Sequence, residues 1–116
     1  MRENNVIRDK SKAFAVRILK FSRYLNDEKK ENVLAKQILR SGTSIGANVR
    51  ESARAQSEAD FYSKLNIALK EADETSYWLE IMYEANIIDQ KQFSSLYNEC
   101  EEIISILTAI TKNQKY

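Results

Sequence analysis

Residues 40–52 read RSGTSIGANVRES, and this stretch contains the only two glycines of the chain, Gly42 and Gly46. The 116-residue chain has no proline. Glycines at this spacing suit a phosphate-binding loop, a tight turn, or a close contact between two helices. The phosphate-binding loop is excluded, because it requires Lys-Ser or Lys-Thr after its last glycine, and here Ala47 follows.

The apolar residues around the two glycines keep one helical phase, which a turn would reset. This phase favours a continuous helix, although each interior glycine costs a helix about 1 kcal/mol. Small residues four positions apart lie on one side of a helix and let a second backbone approach closely. We therefore predict a close helix–helix contact at this side. The residues in phase are Leu34, Ile38, Gly42, Ile45, Val49 and Ala53.

The rest of the chain also follows the 3.6-residue period of a helix, with no strand-like alternation. The polar connection at residues 26–30 has the length expected between antiparallel helices. Ser57 and Asp89 are predicted N-caps, the latter with Gln92 three residues later. The predicted fold is all-α, a single domain over residues 1–116 that forms an antiparallel up-down-up-down four-helix bundle, with helices near 5–25, 31–55, 58–86 and 90–113.

The third predicted helix is apolar on two sides. One side carries the core stripe, which includes Phe61, Leu65 and Tyr83, and the opposite side carries a second apolar stripe. Because a four-helix bundle covers only one side of each helix, the second stripe predicts a homo-oligomer, although scattered surface residues would give the same pattern. The predicted interface consists of Ile67, Trp78, Ile81 and Ala85.

Several classes of chemistry are disfavoured by composition. The chain has no histidine and one cysteine, Cys100, so it lacks a Ser–His or Cys–His pair and a credible zinc site. We expect no metal, no cofactor and no catalytic residue. Asn48, Glu51 and Glu74 are the candidates for a buried polar site, or alternatively for a hydrogen-bond network that fixes helix register. No apolar run is long enough to span a membrane, and we expect a cytoplasmic protein.

Charge is distributed unevenly along the chain. Residues 1–56 carry 13 Lys/Arg and 6 Asp/Glu, whereas residues 57–116 carry 5 and 11, so the halves have net charges of +7 and −6. The two halves could neutralise each other in the fold, or the first could present a basic surface to an anionic partner. The candidate nucleic-acid-binding residues of the first two helices, which a merely solvated face would also explain, are Arg8, Lys12, Lys20, Arg23, Lys36, Arg40, Arg50 and Arg54.

The stretch 40–51 resembles the bacterial four-helix-bundle proteins encoded in intervening sequences of 23S ribosomal RNA genes. This family is related to the accessory variability protein of diversity-generating retroelements. The resemblance implies a homopentameric barrel without catalytic activity, and its retroelement branch implies binding to nucleic acid and to a reverse transcriptase through basic surface. The residues that match the family pattern are Arg40, Ser44, Ile45, Asn48, Glu51 and Glu74.

Two functions remain open at the level of sequence. The first is a non-enzymatic oligomer that binds RNA, DNA or a ribonucleoprotein partner through basic residues of the first two helices. The alternative is a structural or protein-interaction scaffold that binds no nucleic acid, in which the basic and acidic halves satisfy each other.

Overall fold

The computed structural model of the protein describes residues 2–114, with side chains described from residue 5 onward. This part of the chain contains four α-helices and no strand, as predicted. The helices are α1 (Arg2–Asp27), α2 (Asn32–Ser52), α3 (Glu58–Glu84) and α4 (Gln90–Thr111).

The helix ends follow local capping chemistry. The Ser57 hydroxyl accepts a hydrogen bond from the Asp60 N–H at the start of α3, and Asp89 forms a reciprocal capping box with Gln92 at the start of α4. The end of α3 is a Schellman motif in which Asn86 has φ 62° and the Ile87 N–H donates to a carbonyl of the last turn. This motif ends α3 two residues before the predicted boundary, without glycine or proline.

The end of α2 lies three residues before its predicted boundary. Beyond Ser52 the backbone tightens, because the N–H groups of residues 53, 54 and 55 each donate to the carbonyl three residues earlier. Such bonds are typical of a last turn that changes from α to 3₁₀ geometry. The predicted α-helix therefore does not reach Ala55, because its last turn has given way to this tighter geometry.

Consecutive helices are antiparallel neighbours. Across α2 and α3, Arg40 pairs with Glu74 while Glu51, further along α2, pairs with Lys64, earlier in α3. The cross-helix pairs between α1 and α4 and between α3 and α4 run in the same opposed sense. Within the described residues α1 lies beside α2 and α4, α3 lies beside α2 and α4, and the diagonal helices have no Cα atoms within 8 Å of each other. The molecule is therefore an up-down-up-down four-helix bundle, 44 Å long.

The bundle has one hydrophobic core to which all four helices contribute. From α2 it takes Ile38, Ile45 and Val49, and the buried apolar residues of α1 are Ile7, Phe14, Ile18, Phe21 and Leu25. One prediction was wrong, since Tyr83 is 36% exposed and the neighbouring Met82 is buried instead. Tyr83 stacks against Phe93 of α4 at the edge of the bundle, with ring centroids 4.6 Å apart.

Both glycines lie in the uninterrupted helix α2 and face α1, which confirms the predicted close contact. A Cβ atom placed on Gly42 would lie 2.7 Å from Cγ2 of the buried Ile18. A Cβ on Gly46 would lie 3.3 Å from the backbone carbonyl oxygen of Ser11. The two glycines thus allow α1 and α2 to pack closely along this seam.

Candidate nucleic-acid interface

Three predicted basic residues meet at an open groove between α1 and α2. Arg8 and Lys12 of α1 face Arg50 of α2 across a groove of about 310 Å³. The remaining lining residues are small or uncharged, and no carboxylate among the described side chains lines the groove. They are Ala15, Thr43, Gly46 and Ala47.

The floor of this groove follows from the close helix packing described above. Gly46 and Ala47 carry no side chain beyond Cβ, and Ala15 opposes them from α1. The floor therefore stays open, and the cationic side chains at the edges of the groove are longer than the residues between them. Such an arrangement leaves room for a polyanionic chain, such as a sugar–phosphate backbone, to lie between the cations.

The other predicted basic residues do not line this groove. Arg23, Lys36 and Arg54 are exposed, and none forms an ion pair with a described carboxylate. Lys20 lines a different groove, between α1 and α4. We define the basic face as the exposed cations of α1, of α2 and of the turn after α2 that form no described ion pair and do not line the α1–α4 groove, namely Arg8, Lys12, Arg23, Lys36, Arg50 and Arg54.

Arg40 is less available to an anionic partner than the basic face, because its guanidinium contacts two carboxylates of α3. It forms an ion pair with Glu71 at 2.9 Å and a closer ion pair with Glu74. Glu74 also accepts a 2.9 Å hydrogen bond from the Trp78 indole N–H. Hydrogen bonding to Glu74 raises the pKa of the Arg40 guanidinium, and hydrogen bonds from Arg40 and Trp78 lower the pKa of Glu74. Arg40 is thus placed as a link between α2 and α3.

The three candidates for a polar site do not meet at one place. The Asn48 amide donates to the Ser44 backbone carbonyl at 2.9 Å, within its own helix. The Glu51 carboxylate is largely exposed and pairs with Lys64 at 3.1 Å, away from Glu74. Neither a buried catalytic site nor a shared hydrogen-bond network is formed. The buried polar link between α2 and α3 is instead the 2.8 Å hydrogen bond from Thr75 to Ser41, which the sequence patterns did not single out.

Ion pairs among the described side chains occur at only two of the four helix seams. Lys10–Glu102 and Arg17–Glu99 join α1 to α4, and the pairs of Arg40 and Lys64 described above join α2 to α3. Each of these seams joins the basic half of the chain to its acidic half. The α1–α2 seam and the α3–α4 seam have no such pair.

At the α3–α4 seam, neutral hydroxyl groups take the place of cations. The Ser76 hydroxyl donates to Glu101 at 3.0 Å, and the Tyr97 hydroxyl donates to Glu80 at 3.1 Å. Carboxylates therefore dominate this seam, as cations dominate the α1–α2 seam on the other side of the bundle. The unequal charge of the two halves of the sequence appears as two separate faces of the molecule.

The predicted oligomer interface lies on the outer side of α3. Ile67 is 40% exposed and Ala85 is exposed, whereas Trp78 and Ile81 are half-buried. Tyr77, which the sequence pattern did not include, is 56% exposed and its ring packs edge-on against that of Trp78. These residues form an apolar outer stripe that the bundle covers only in part.

Other features of the described residues define no reactive site. Cys100 is buried, its thiol donates to the Ala72 carbonyl at 3.3 Å, and burial raises its pKa to about 12. Within residues 5–114, no three cysteine or acidic side chains converge in a way that could hold a metal ion. In the part of the chain that the structure describes, every helix is too short or too polar to cross a bilayer.

Comparison with known proteins was made on sequence and on structure. A family model described as 23S rRNA-intervening sequence protein matches residues 3–109. A protein of unknown function from the S23 ribosomal protein family of Bacteroides thetaiotaomicron, with a known crystal structure, is 54% identical in sequence to this chain. It superposes with a TM-score of 0.93 over 96% of this chain and 99% of that one. No curated protein matches the sequence.

Proposed function

This chain belongs to the 23S rRNA-intervening sequence protein family, and from that membership we propose that it is a non-enzymatic, self-associating protein that binds RNA or DNA through its basic face. The observation that carries the proposal is the α1–α2 groove, where Arg8, Lys12 and Arg50 converge without a carboxylate. A surface that only balanced the charge of the fold would have its acids beside these cations. In this bundle the described ion pairs lie at other seams.

The proposed contacts are to phosphate rather than to bases. The basic face carries arginine and lysine on two helices, without zinc-finger spacing or the aromatic motif of an RNA-recognition sheet. Binding through such residues follows charge and backbone shape, and it weakens steeply as salt rises because each neutralised phosphate releases a counterion. We expect structured RNA and duplex DNA of different sequence to bind with similar affinity.

Self-association is the second part of the proposal. The outer stripe of α3 exposes Ile67 and Tyr77 and includes the half-buried Trp78 and Ile81. Burial of this stripe against another copy would remove it from water. The resemblance to the family suggests a pentamer, and five copies of the groove in one particle would raise the affinity for a polyanion through effective concentration.

The nucleic-acid part is tested by reversing charge in the groove. The Lys12→Glu/Arg50→Glu variant should lose binding to a 30-nucleotide RNA hairpin in fluorescence anisotropy at low salt, with unchanged helical circular dichroism. The matched control is Lys70→Glu/Lys112→Glu, which changes the net charge equally at exposed positions of α3 and the α4 C-terminus. Equal loss in both variants would show that only net charge matters. Failure of the parent protein to bind would instead favour the scaffold function.

The self-association part needs a separate measurement. Light scattering of the parent protein at micromolar concentration should give a mass of several subunits, five if the family resemblance holds for this chain. The Ile67→Glu/Ile81→Glu variant should give a smaller mass while it keeps its helix content, since Ile67 is not in the core and Ile81 is only half-buried. A parent protein that is monomeric would contradict the assignment of the outer stripe.

A further inference from the structure

The α1–α4 seam contains an open groove that the nucleic-acid proposal does not use. It has a volume of about 480 Å³ and lies near the C-terminal end of α1 and the first turns of α4. Volumes of several hundred cubic ångströms are typical of sites for small ligands. Its lining residues are Arg17, Lys20, Phe21, Lys91, Gln92, Ser95 and Leu96.

The surface of this groove is mainly apolar. Phe21 and Leu96 are core residues, 9% and 4% exposed, and they close the groove from opposite helices. Because these two side chains are nearly buried, much of the apolar surface that the groove exposes belongs to the aliphatic stems of its longer lining residues. An apolar group placed in the groove would be removed from water, which favours binding in proportion to the area covered. A simple inorganic anion would gain nothing from this part of the groove.

The charged groups of the groove are all cations. Arg17 has a fixed orientation, because it pairs with Glu99 and donates a 2.9 Å hydrogen bond to the Ser95 hydroxyl. Lys20 and Lys91 are exposed and form no ion pair with any described carboxylate. The groove therefore combines an apolar floor with two uncompensated positive charges.

We propose that this groove binds a small organic anion, with its carboxylate or phosphate head between Lys20 and Lys91 and its apolar body over Phe21 and Leu96. Such a ligand would contact both the cations and the apolar floor of the groove, whereas a sugar–phosphate backbone would leave the floor uncovered. The site is distinct from the α1–α2 groove and does not depend on nucleic-acid binding.

The probe for this site is 2-naphthoate, with the neutral 2-naphthamide of the same shape as its comparison. Titration of the ¹⁵N-labelled protein should give saturable amide shifts at Phe21, Lys91 and Leu96. The amide should bind about tenfold more weakly, the size expected when two partly exposed charge contacts are lost. Equal affinity for the two probes, or no saturable shift at millimolar concentration, would overturn the proposal.

Two double variants locate the charge contribution. Lys20→Ala/Lys91→Ala should weaken 2-naphthoate binding about tenfold and leave 2-naphthamide binding unchanged. The control Lys36→Ala/Arg54→Ala removes two exposed cations from the basic face and should leave both probes unaffected. Equal weakening in the two variants would show a nonspecific effect of net charge and would contradict the site.

Discussion

Replacement of each glycine of α2 by alanine should be clearly less favourable at Gly42 than at Gly46. At Gly42 the new Cβ would lie 2.7 Å and 2.9 Å from the two γ-carbons of Ile18, well inside van der Waals contact. Ile18 is fully buried and β-branched, so it has little freedom to rotate away. Overpacking of this kind costs about 1–3 kcal/mol, which exceeds or equals the gain of about 1 kcal/mol in helix propensity.

At Gly46 the same substitution is close to neutral or stabilising. The nearest atom is the Ser11 carbonyl oxygen at 3.3 Å, so a shift of a few tenths of an ångström relieves the contact. The propensity gain of about 1 kcal/mol is then largely retained. We therefore expect Gly42→Ala to be less stable than Gly46→Ala by about 1–3 kcal/mol.

Urea unfolding followed by circular dichroism measures this difference directly. Ala47→Gly is the matched control, because Ala47 is exposed in the same helix and reports the propensity cost without a packing change. Leucine at either glycine should be far more disruptive than alanine, since it would force the helices apart. If Gly42→Ala proved as stable as Gly46→Ala, the close contact with Ile18 would not limit this position and the packing account would be wrong.

Three further substitutions or conditions test individual contacts. The pKa of Glu74 is lowered in the folded protein, so its contribution to stability is present above the pKa of the unfolded state and is lost as pH falls through the pKa of the folded state. The Glu74→Gln variant should lose this acid dependence. Its free energy of unfolding in urea should be lower by up to about 1 kcal/mol. The pKa of Cys100 is raised to about 12, so its thiol should not react with iodoacetamide at pH 8 until the protein is unfolded, which mass spectrometry can measure. The stability of the fold should also decrease as pH rises from the usual pKa of a thiol towards 12. Lys30 has φ 58°, so Lys30→Gly should stabilise the fold by about 0.5 kcal/mol in thermal unfolding, whereas Lys29→Gly should not.

The fold could be predicted from sequence because the signals that define it are local. The helical phase through Gly42 and Gly46 identified both the continuity of α2 and the side that meets α1. The caps at Ser57 and Asp89 identified where two helices begin. The end of α3 was less predictable, since Asn86 rather than glycine adopts the left-handed conformation there. A Schellman motif at asparagine leaves a weak signal in the sequence.

The candidate sites could be predicted only in part, because they depend on which helices become neighbours. Lys12 and Lys20 are eight residues apart, which corresponds to a rotation of about 80° around a helix. That rotation places them at different seams, and it could have been recognised from spacing alone. The contacts of Arg40 with Glu71 and Glu74 could not, since they require the register of α3 against α2.

The order of the helices explains why the charge of the sequence survives as two faces. In an up-down-up-down bundle each helix lies beside its neighbour in sequence, so a chain with a basic first half must place two basic helices together. Neutralisation can then occur only where the halves meet, at the α1–α4 and α2–α3 seams, and the described ion pairs lie at those seams. The small residues that let α1 and α2 approach also bring Arg8, Lys12 and Arg50 around one groove. Close packing therefore increases the density of positive charge at a seam where no described acid forms an ion pair, and this charge density is the physical basis of the proposed binding to a polyanion.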